Sequence, residues 1–574
     1  MKGGLVPRCN LRAALILSFI LSACGVQHPQ PLPPTLQPPV STATASQIQP
    51  SPTERASPTP NEPTPEPTAI WLAPYLPQGF RESIQLAPGV VLVQEAQQAD
   101  FLLQAGGDQA ISRWVYALAA PFPTIPDGVS EQELRDAWRG NPPSAFAGSP
   151  LLMDETTLGV LTVTWGAPAA GMVKTLPAQV LLDYAWESAQ PFMESQPSWA
   201  ILPFENLEPR WKVLKIDGRS PIDEVFDPAG YPLSVGFSLT PDPSKPAPRL
   251  SLPSDAQELL AAWASTNREE GKMTSVILTG VTALVRATAE TMRRKGVTYP
   301  AQDIRDWLLS ADFTHISNEI PFTPDCPLPD AWQKDLVFCS NPAYIDLLKD
   351  IGADVIELTG DHFGDWGPDA MRYTLDLYRQ NEMLYYGGGY DLEDARQPLL
   401  IEHNGNRLAF IGCNAKEPGY GTASQTSPGA LHCDFEWLNG EIARLRSEGY
   451  LPIVTFQDTE YYSYIPQPKL IQDFRPSAEA GALIVSGSQA HQPHGMEFYA
   501  GAFIHYGLGN LFFDQYHMGL PTGQGFLDRH VFYAGRHLST ELLGIRFVDF
   551  ARPRPMTADE RRELLMKVFK ASGW

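Results

Sequence analysis

The sequence predicts an α/β protein of two domains, with mixed sheets layered by helices and carried behind a leader and a proline-rich tether. Three observations predict it. Short apolar runs such as "DVIELTG", "LPIVTFQ" and "GALIVSGS" read as buried strands that end in polar residues. Capped segments of helical period alternate with them. At 574 residues the chain is also too long for one hydrophobic core.

The first 24 residues read as a processing signal: Lys2, Arg8 and Arg12 precede "AALILSFILSA", an apolar stretch too short for a comfortable membrane span. Leu21-Ser22-Ala23-Cys24 resembles a bacterial lipobox, which implies a lipidated Cys24 and a membrane anchor facing outside the cytoplasm. An ordinary cleaved signal with an incidental cysteine is the alternative. Residues 25–70 hold 13 prolines among Ser, Thr and Gln and read as an extended tether. The net charge of −23, with no basic stretch, excludes nucleic acid as a partner. Beyond Cys9 and Cys24 four cysteines remain, and Cys326–Cys339 with Cys413–Cys433 is the simplest of three pairings. A four-thiolate zinc site competes, but no CxxC spacing supports it.

Residues 71–250 read as an α/β domain. "GVVLVQEA", "ADFLLQA", "RWVYALAAPF", "LGVLTVTWG" and "RWKVLKIDG" are expected strands, and Ser130 caps a helix in "SEQELRDAWRG". The run "ALAAPFPTIPDGVSEQELRDAWRG", followed later by "DPAGYPLSVGFSL", resembles periplasmic solute-binding proteins for phosphate or molybdate. Residues 251–273 read as a linker, with 254–272 an amphipathic helix capped by Ser254 or Asp255. The remainder, 274–574, is the second domain. There "NPAYIDLLKDIGA" has Asn341 as cap, Pro342 in the first turn and Gly352 as stop. "PDAMRYTLDLYRQNE" is a helix, and "LLIEHNGNRLAFIG" a hairpin turning at Asn404-Gly405.

Polar residues gather at the strand ends, where sites form in such sheets. In order they are "VILTGV", "ISNEIPFT", "LTGDHFGDWG", "VTFQDTEYY", "VSGSQAHQPH" and "IHYGLGNLFFD". This ordered set, over about 275–545, resembles the CapA family of capsule and poly-γ-glutamate biosynthesis proteins. The resemblance implies a four-layer αββα sandwich of the calcineurin-like metallophosphoesterase kind. It also implies roles: Glu319, Asp361, Glu460, His491 and His494 as metal ligands, His362 as general acid or electrostatic donor with Asp365 orienting it, and Asn510 at the cleft. His315, Gln457, Gln489 and His505 stand on the same strand ends and are candidates to line it, each with a structural role as the blander alternative. Asp514 is expected to fix a turn.

The departures from the family pattern are as informative. Val281 stands where the first Asp is expected, Phe456 or Gln457 replaces one His, and Gln492 replaces another. A pair of ions clamping attacking and leaving oxygens needs more donors than remain. The carboxylate-rich set suits one divalent ion, with Mg²⁺, Mn²⁺ or Ca²⁺ at least as suitable as Zn²⁺; an ion-free cleft is the alternative. Phe363, Trp366, Tyr461, Tyr462, Tyr464, Phe498 and Tyr499 are either a platform for a polymer or core and rim packing. Three functions follow: an envelope-anchored factor in synthesis or export of a surface polymer, a metal-dependent hydrolase of an envelope phosphoester or amide, or a tethered oxyanion receptor with a degenerate second domain.

Overall fold

The computed structural model describes residues 67–574 apart from 108, 147–148, 189–197, 246–258 and 420. The leader, Cys24 and nearly all of the expected tether lie outside the described residues. The N-terminal domain begins at Thr68 rather than at 71. Thr68–Leu72 is a strand paired in parallel with Val90–Val93 on one side and Phe101–Ala105 on the other, because Ile70 delivers its side chain into the domain core.

Two expected elements take another form. "LGVLTVTWG" lies in the helix Glu155–Trp165, not in a strand. Asp154 accepts a hydrogen bond from the Thr157 N–H at 2.7 Å, and Thr157, Val160 and Leu161 bury one stripe at helical spacing. Cap and packing thus override the strand preference of Val and Thr. The Ser130 helix does form, with a reciprocal Ser130–Glu133 capping box. Residues 254–258 of the expected linker helix lie outside the described residues, and from Leu260 onward the linker forms no α-helix, only a 3-10 turn at Glu270–Lys272. Leu260–Ala262 adds a short strand against Gln85–Leu86, and the Asn267 side chain brackets Val115, accepting from its N–H and donating to its carbonyl, both at 2.8 Å. Extended backbone buries Leu260 in the N-terminal core, and the polar run after it makes its bonds to that domain instead of to itself.

A cleft of about 660 Å³ in the N-terminal domain is lined by Glu82, Asp154, Glu155 and Glu205, with no Lys or Arg among its lining residues.

The C-terminal domain is built on two stacked sheets. The first runs Leu384–Tyr386, Ala353–Glu357, Phe313–Asn318 and Met273–Leu278 in parallel, then antiparallel through Gln524–Tyr533, Arg536–Phe547 and Pro553–Pro555. The second runs Leu399–His403, Asn406–Asn414, Leu451–Gln457, Ile484–Ser486, Ala502–His505 and Met496–Tyr499, its central four parallel. Period-two alternation gives the central strands, such as Met273–Leu278 and Leu451–Gln457, two buried faces. Val276, Leu278 and Val355 meet Phe410, Ile453 and Phe503 between the sheets. Ile277, Ile316 and Ile356 pack beneath the helices Arg286–Lys295 and Gly367–Gln380. Ile411, Val454 and Ile504 pack beneath Phe435–Ser447 and Pro468–Glu479. This is the four-layer αββα order with mixed sheets that the sequence predicts. The hairpin turns at Asn404 and Gly405, both at positive φ (49° and 75°).

The two domains share one compact unit, Glu66–Trp574. Arg536 donates to the Glu205 carbonyl at 2.6 Å, Arg561 reaches Asp127 at 2.8 Å, and Phe122 packs on Phe498 and Trp574. Both expected disulfides are present, Cys326–Cys339 and Cys413–Cys433; they consume the four thiols of the competing zinc site.

Burial holds three intersheet imidazoles neutral: His315 and His537 are pushed down to about 3 and about 4, and His530 lies well below its ordinary value. Unfolded, each would take a proton below about pH 6.5. Their contribution to stability is therefore complete above that pH and lost as pH falls toward the folded values. Urea denaturation should lose on the order of 2 kcal/mol per histidine between pH 7 and pH 5; a midpoint that stays constant over that range would contradict this account.

Candidate functional site

The parallel strands of both sheets deliver their following loops to one place. Glu319 follows the strand ending at Asn318, Asp361 to Asp365 follow Glu357, Lys416 follows Asn414, Glu460 follows Gln457, and His491 follows Ser486. Close approach of these loops needs residues without side chains. A Cβ on Gly360 would lie 2.6 Å from the Glu319 Cα and carbonyl oxygen, and one on Gly280 would lie 1.8 Å from the Gly509 oxygen.

Glu319, Asp361 and His362 present ligand atoms that all lie within 4.8 Å of one another. The His362 Nδ1 is held by Asp365 Oδ2 at 2.8 Å, which also accepts the Phe338 N–H at 2.6 Å. Nε2 is thus the ring nitrogen left to a ligand. The His491 Nε2 lies 3.6 Å from Glu460 and 3.9 Å from Glu319, while its Nδ1 meets Asn510 Oδ1 at 2.9 Å. Asn510 in turn donates to the His491 and Thr522 carbonyls, so its orientation is fixed. Lys416, absent from the sequence expectations, reaches Asp361 Oδ2 and Glu460 Oε1, each at 2.6 Å. Gln457 donates to the other Asp361 oxygen at 3.2 Å.

These contacts set the charges. Burial raises the Glu319 carboxyl above its ordinary range, against the pull of His491 and His362. Burial also opposes ionised Asp361 and Glu460, but Lys416 and His362 hold Asp361 low, and the nearby His491 ring with Lys416 holds Glu460 low. For His362, burial is outweighed by the Asp365 hydrogen bond and by the charges of Glu319 and Asp361, and its pKa rises to about 9. At neutral pH the cleft therefore holds an imidazolium and an ammonium among carboxylates.

Other expected residues stand elsewhere. His494, expected as a ligand, meets the Tyr461 carbonyl at 2.8 Å through Nε2, and burial lowers it to about 4. The Gly507 backbone packed against its ring leaves it a supporting role beneath Tyr461. His315 does not line the cleft. Completely buried, it meets the Tyr386 hydroxyl at 2.9 Å and Glu357 at 3.5 Å. Gln489 is buried beside Thr359, at 3.5 Å. His505 pairs with Asp528 at 2.6 Å, both buried. Asp514 accepts from Arg286 Nε at 2.9 Å and from the Ala287 N–H at 2.6 Å, fixing a turn as expected. Among the aromatics, Phe363 is core and Phe498 packs on Phe122, while Trp366 and Tyr462 are exposed (37% and 49%).

The sequence did carry a signal for Lys416. "FIGCNAKEPG" ends a buried strand in polar residues like the others. Glu357 likewise interrupts the apolar run "DVIELTG", and it is buried with Thr359 donating at 2.7 Å.

The donor set fits one divalent ion. Two carboxylates and an imidazole converge, and Glu319 Oε2 is a buried oxygen with no partner. Val281 lies in an apolar cluster with Ile320, Phe338 and Phe513 and adds no donor to this set.

Residues 275–515 match the family model described as "Bacterial capsule synthesis protein PGA_cap". The capsule biosynthesis protein CapA of Bacillus anthracis is 24% identical over 259 residues, 44% of this chain and 63% of that protein. The PGA biosynthesis protein CapA of Bacillus subtilis (strain 168) is 26% identical over 231 residues, 40% of this chain and 60% of that protein. The chain thus spans about three-fifths of the length of the curated relatives it matches. The C-terminal domain is similar to the CapA family over the segment that contains every residue of the cleft. A phosphatase of Mycoplasma pneumoniae (12% identity, TM-score 0.31, 48% of this chain and 95% of that one) is similar in structure. So is a 5'-nucleotidase precursor of Thermus thermophilus (13%, TM-score 0.31, 52% and 58%).

Histidine NMR of ion-free protein should find His362 titrating near 9, and in Asp365→Asn closer to the ordinary 6.5. A His362 value unchanged by that substitution would show that Asp365 does not hold the ring.

Proposed function

We propose that this chain is an envelope-tethered factor in the synthesis or export of a capsule or poly-γ-glutamate type surface polymer. The observation that carries this reading is the family match over 275–515, inside which Glu319, Asp361, His362, Lys416, Glu460, His491 and Asn510 converge. Tethering is inferred from the lipobox-like residues ending at Cys24. No helix among the described residues is long and apolar enough to cross a membrane. A surface polymer or its assembly machinery is the partner this reading requires. The charge of −23 makes direct capture of a polyanion costly away from the cleft, where His362 and Lys416 are the cations on offer.

A second reading, hydrolysis of an envelope phosphoester or amide with one bound ion, is favoured by the Glu319–Asp361–His362 group. A bound divalent ion would supply charge to polarise the scissile bond and activate water. The chain's own part would be to present His362 Nε2 to that ion beside Glu319 and Asp361, with Asp365 holding the ring through Nδ1. His491 would be oriented by Asn510.

In the native host, deletion of the gene should lower surface polymer at least several-fold. Complementation with Glu319→Ala or His362→Ala should restore far less than wild type, and mass spectrometry should find acyl chains on Cys24. Polymer that persists unchanged in the deletion strain would remove the polymer role. An unacylated mature terminus would remove the tether alone.

A further inference from the structure

We infer that Lys416 is a built-in cation that occupies the second ion position of the cleft, so that the protein holds at most one divalent ion. This deepens the reading of the cluster as the working site and rests on it. The Nζ lies 2.6 Å from a carboxylate oxygen of Asp361 and 2.6 Å from one of Glu460. An ion bridging those same oxygens at about 2.0–2.6 Å would have to occupy the volume of the ammonium. The two alternatives exclude each other.

Lys416 is held in place rather than reaching in from a free surface. Its N–H donates to Asn414 Oδ1 at 2.9 Å, and Asn414 Nδ2 donates to the Thr359 carbonyl at 2.8 Å, just before Asp361. The Ala415 N–H donates to the Gln457 carbonyl at 2.7 Å. Cys413, three residues upstream, is bridged to Cys433. The surrounding residues have followed suit. Val281 is apolar and packed with Ile320 and Phe513, and Gln457 turns its amide N–H toward Asp361. The remaining group, Glu319–Asp361–His362, keeps an unpartnered buried oxygen at Glu319 Oε2 and stays able to take one ion. A covalently attached charge cannot be lost to dilution or chelation.

The test is Mn²⁺ binding to the whole mature protein after chelation and dialysis, read by calorimetry and by electron paramagnetic resonance. Wild type should bind no more than one Mn²⁺ per chain, with no spin coupling between paired ions. Lys416→Ala should gain a second equivalent or bind Mn²⁺ at least tenfold more tightly, and Lys416→Met, which keeps the stem, should do the same if the alanine variant is misfolded by near-ultraviolet circular dichroism. Two coupled Mn²⁺ ions in wild type would overturn the inference. So would folded Lys416 variants whose stoichiometry and affinity match wild type. Neither result depends on the polymer phenotype.

Discussion

Carboxylates brought together at the ends of buried strands stay ionised only if a cation stands within hydrogen-bonding distance, because burial alone would protonate them. In this cleft that requirement falls on Lys416 and His362. The ammonium neutralises Asp361 and Glu460 from between them, and the imidazolium balances Glu319 and Asp361 from the other side. Without those cations, and with no metal ion in their place, Asp361 and Glu460 would repel one another. A cleft of this kind is thus charge-balanced within the chain to a degree that an ion-dependent one is not.

The architecture around the cleft keeps those charges at fixed distances. Cys326–Cys339 closes the loop whose Phe338 N–H binds Asp365 and whose ring lies 4.8 Å from that of His362. Cys413–Cys433 ties the strand that ends just before Lys416. Each bridge therefore steadies one of the two cations, directly behind the residue that carries it. The N-terminal domain adds rigidity from the far side: Arg536, Arg561 and Phe122 join it to the sandwich through hydrogen bonds, an ion pair and ring packing. A small-residue requirement completes the arrangement, since Gly360 and Gly280 lie where neighbouring backbone leaves no room for a Cβ.

Much of the C-terminal domain was legible because its strands are apolar on both faces and its helices carry their own punctuation. Asn341 and Gly352 bound one helical stretch, and Asn404-Gly405 turns the hairpin, each through chemistry local to a few residues. The N-terminal domain was harder. In "LGVLTVTWG" β-branched residues favour a strand, but the Asp154 cap and the buried stripe decided for a helix. In 260–268 the helical-looking pattern yielded to pairing with Gln85–Leu86 and to the Asn267 bracket on Val115. Both outcomes depend on partners far away in sequence, which no window of neighbouring residues contains.

By itself the sequence determined the α/β class and the strand-end positions of Glu319, Asp361, His362, Glu460 and His491, since each is written in residue types at short spacing; of the three cysteine pairings it left open, the structure chose Cys326–Cys339 with Cys413–Cys433. Only the tertiary structure decided which of those groups meet. It drew His315 into the core against Tyr386, turned His494 onto a backbone carbonyl, and brought Lys416 across 55 residues to Asp361. The physical reason is that a charge's role is set by what lies within a few ångströms of it. That distance is fixed by how the sheets stack, not by the order of the residues along the chain.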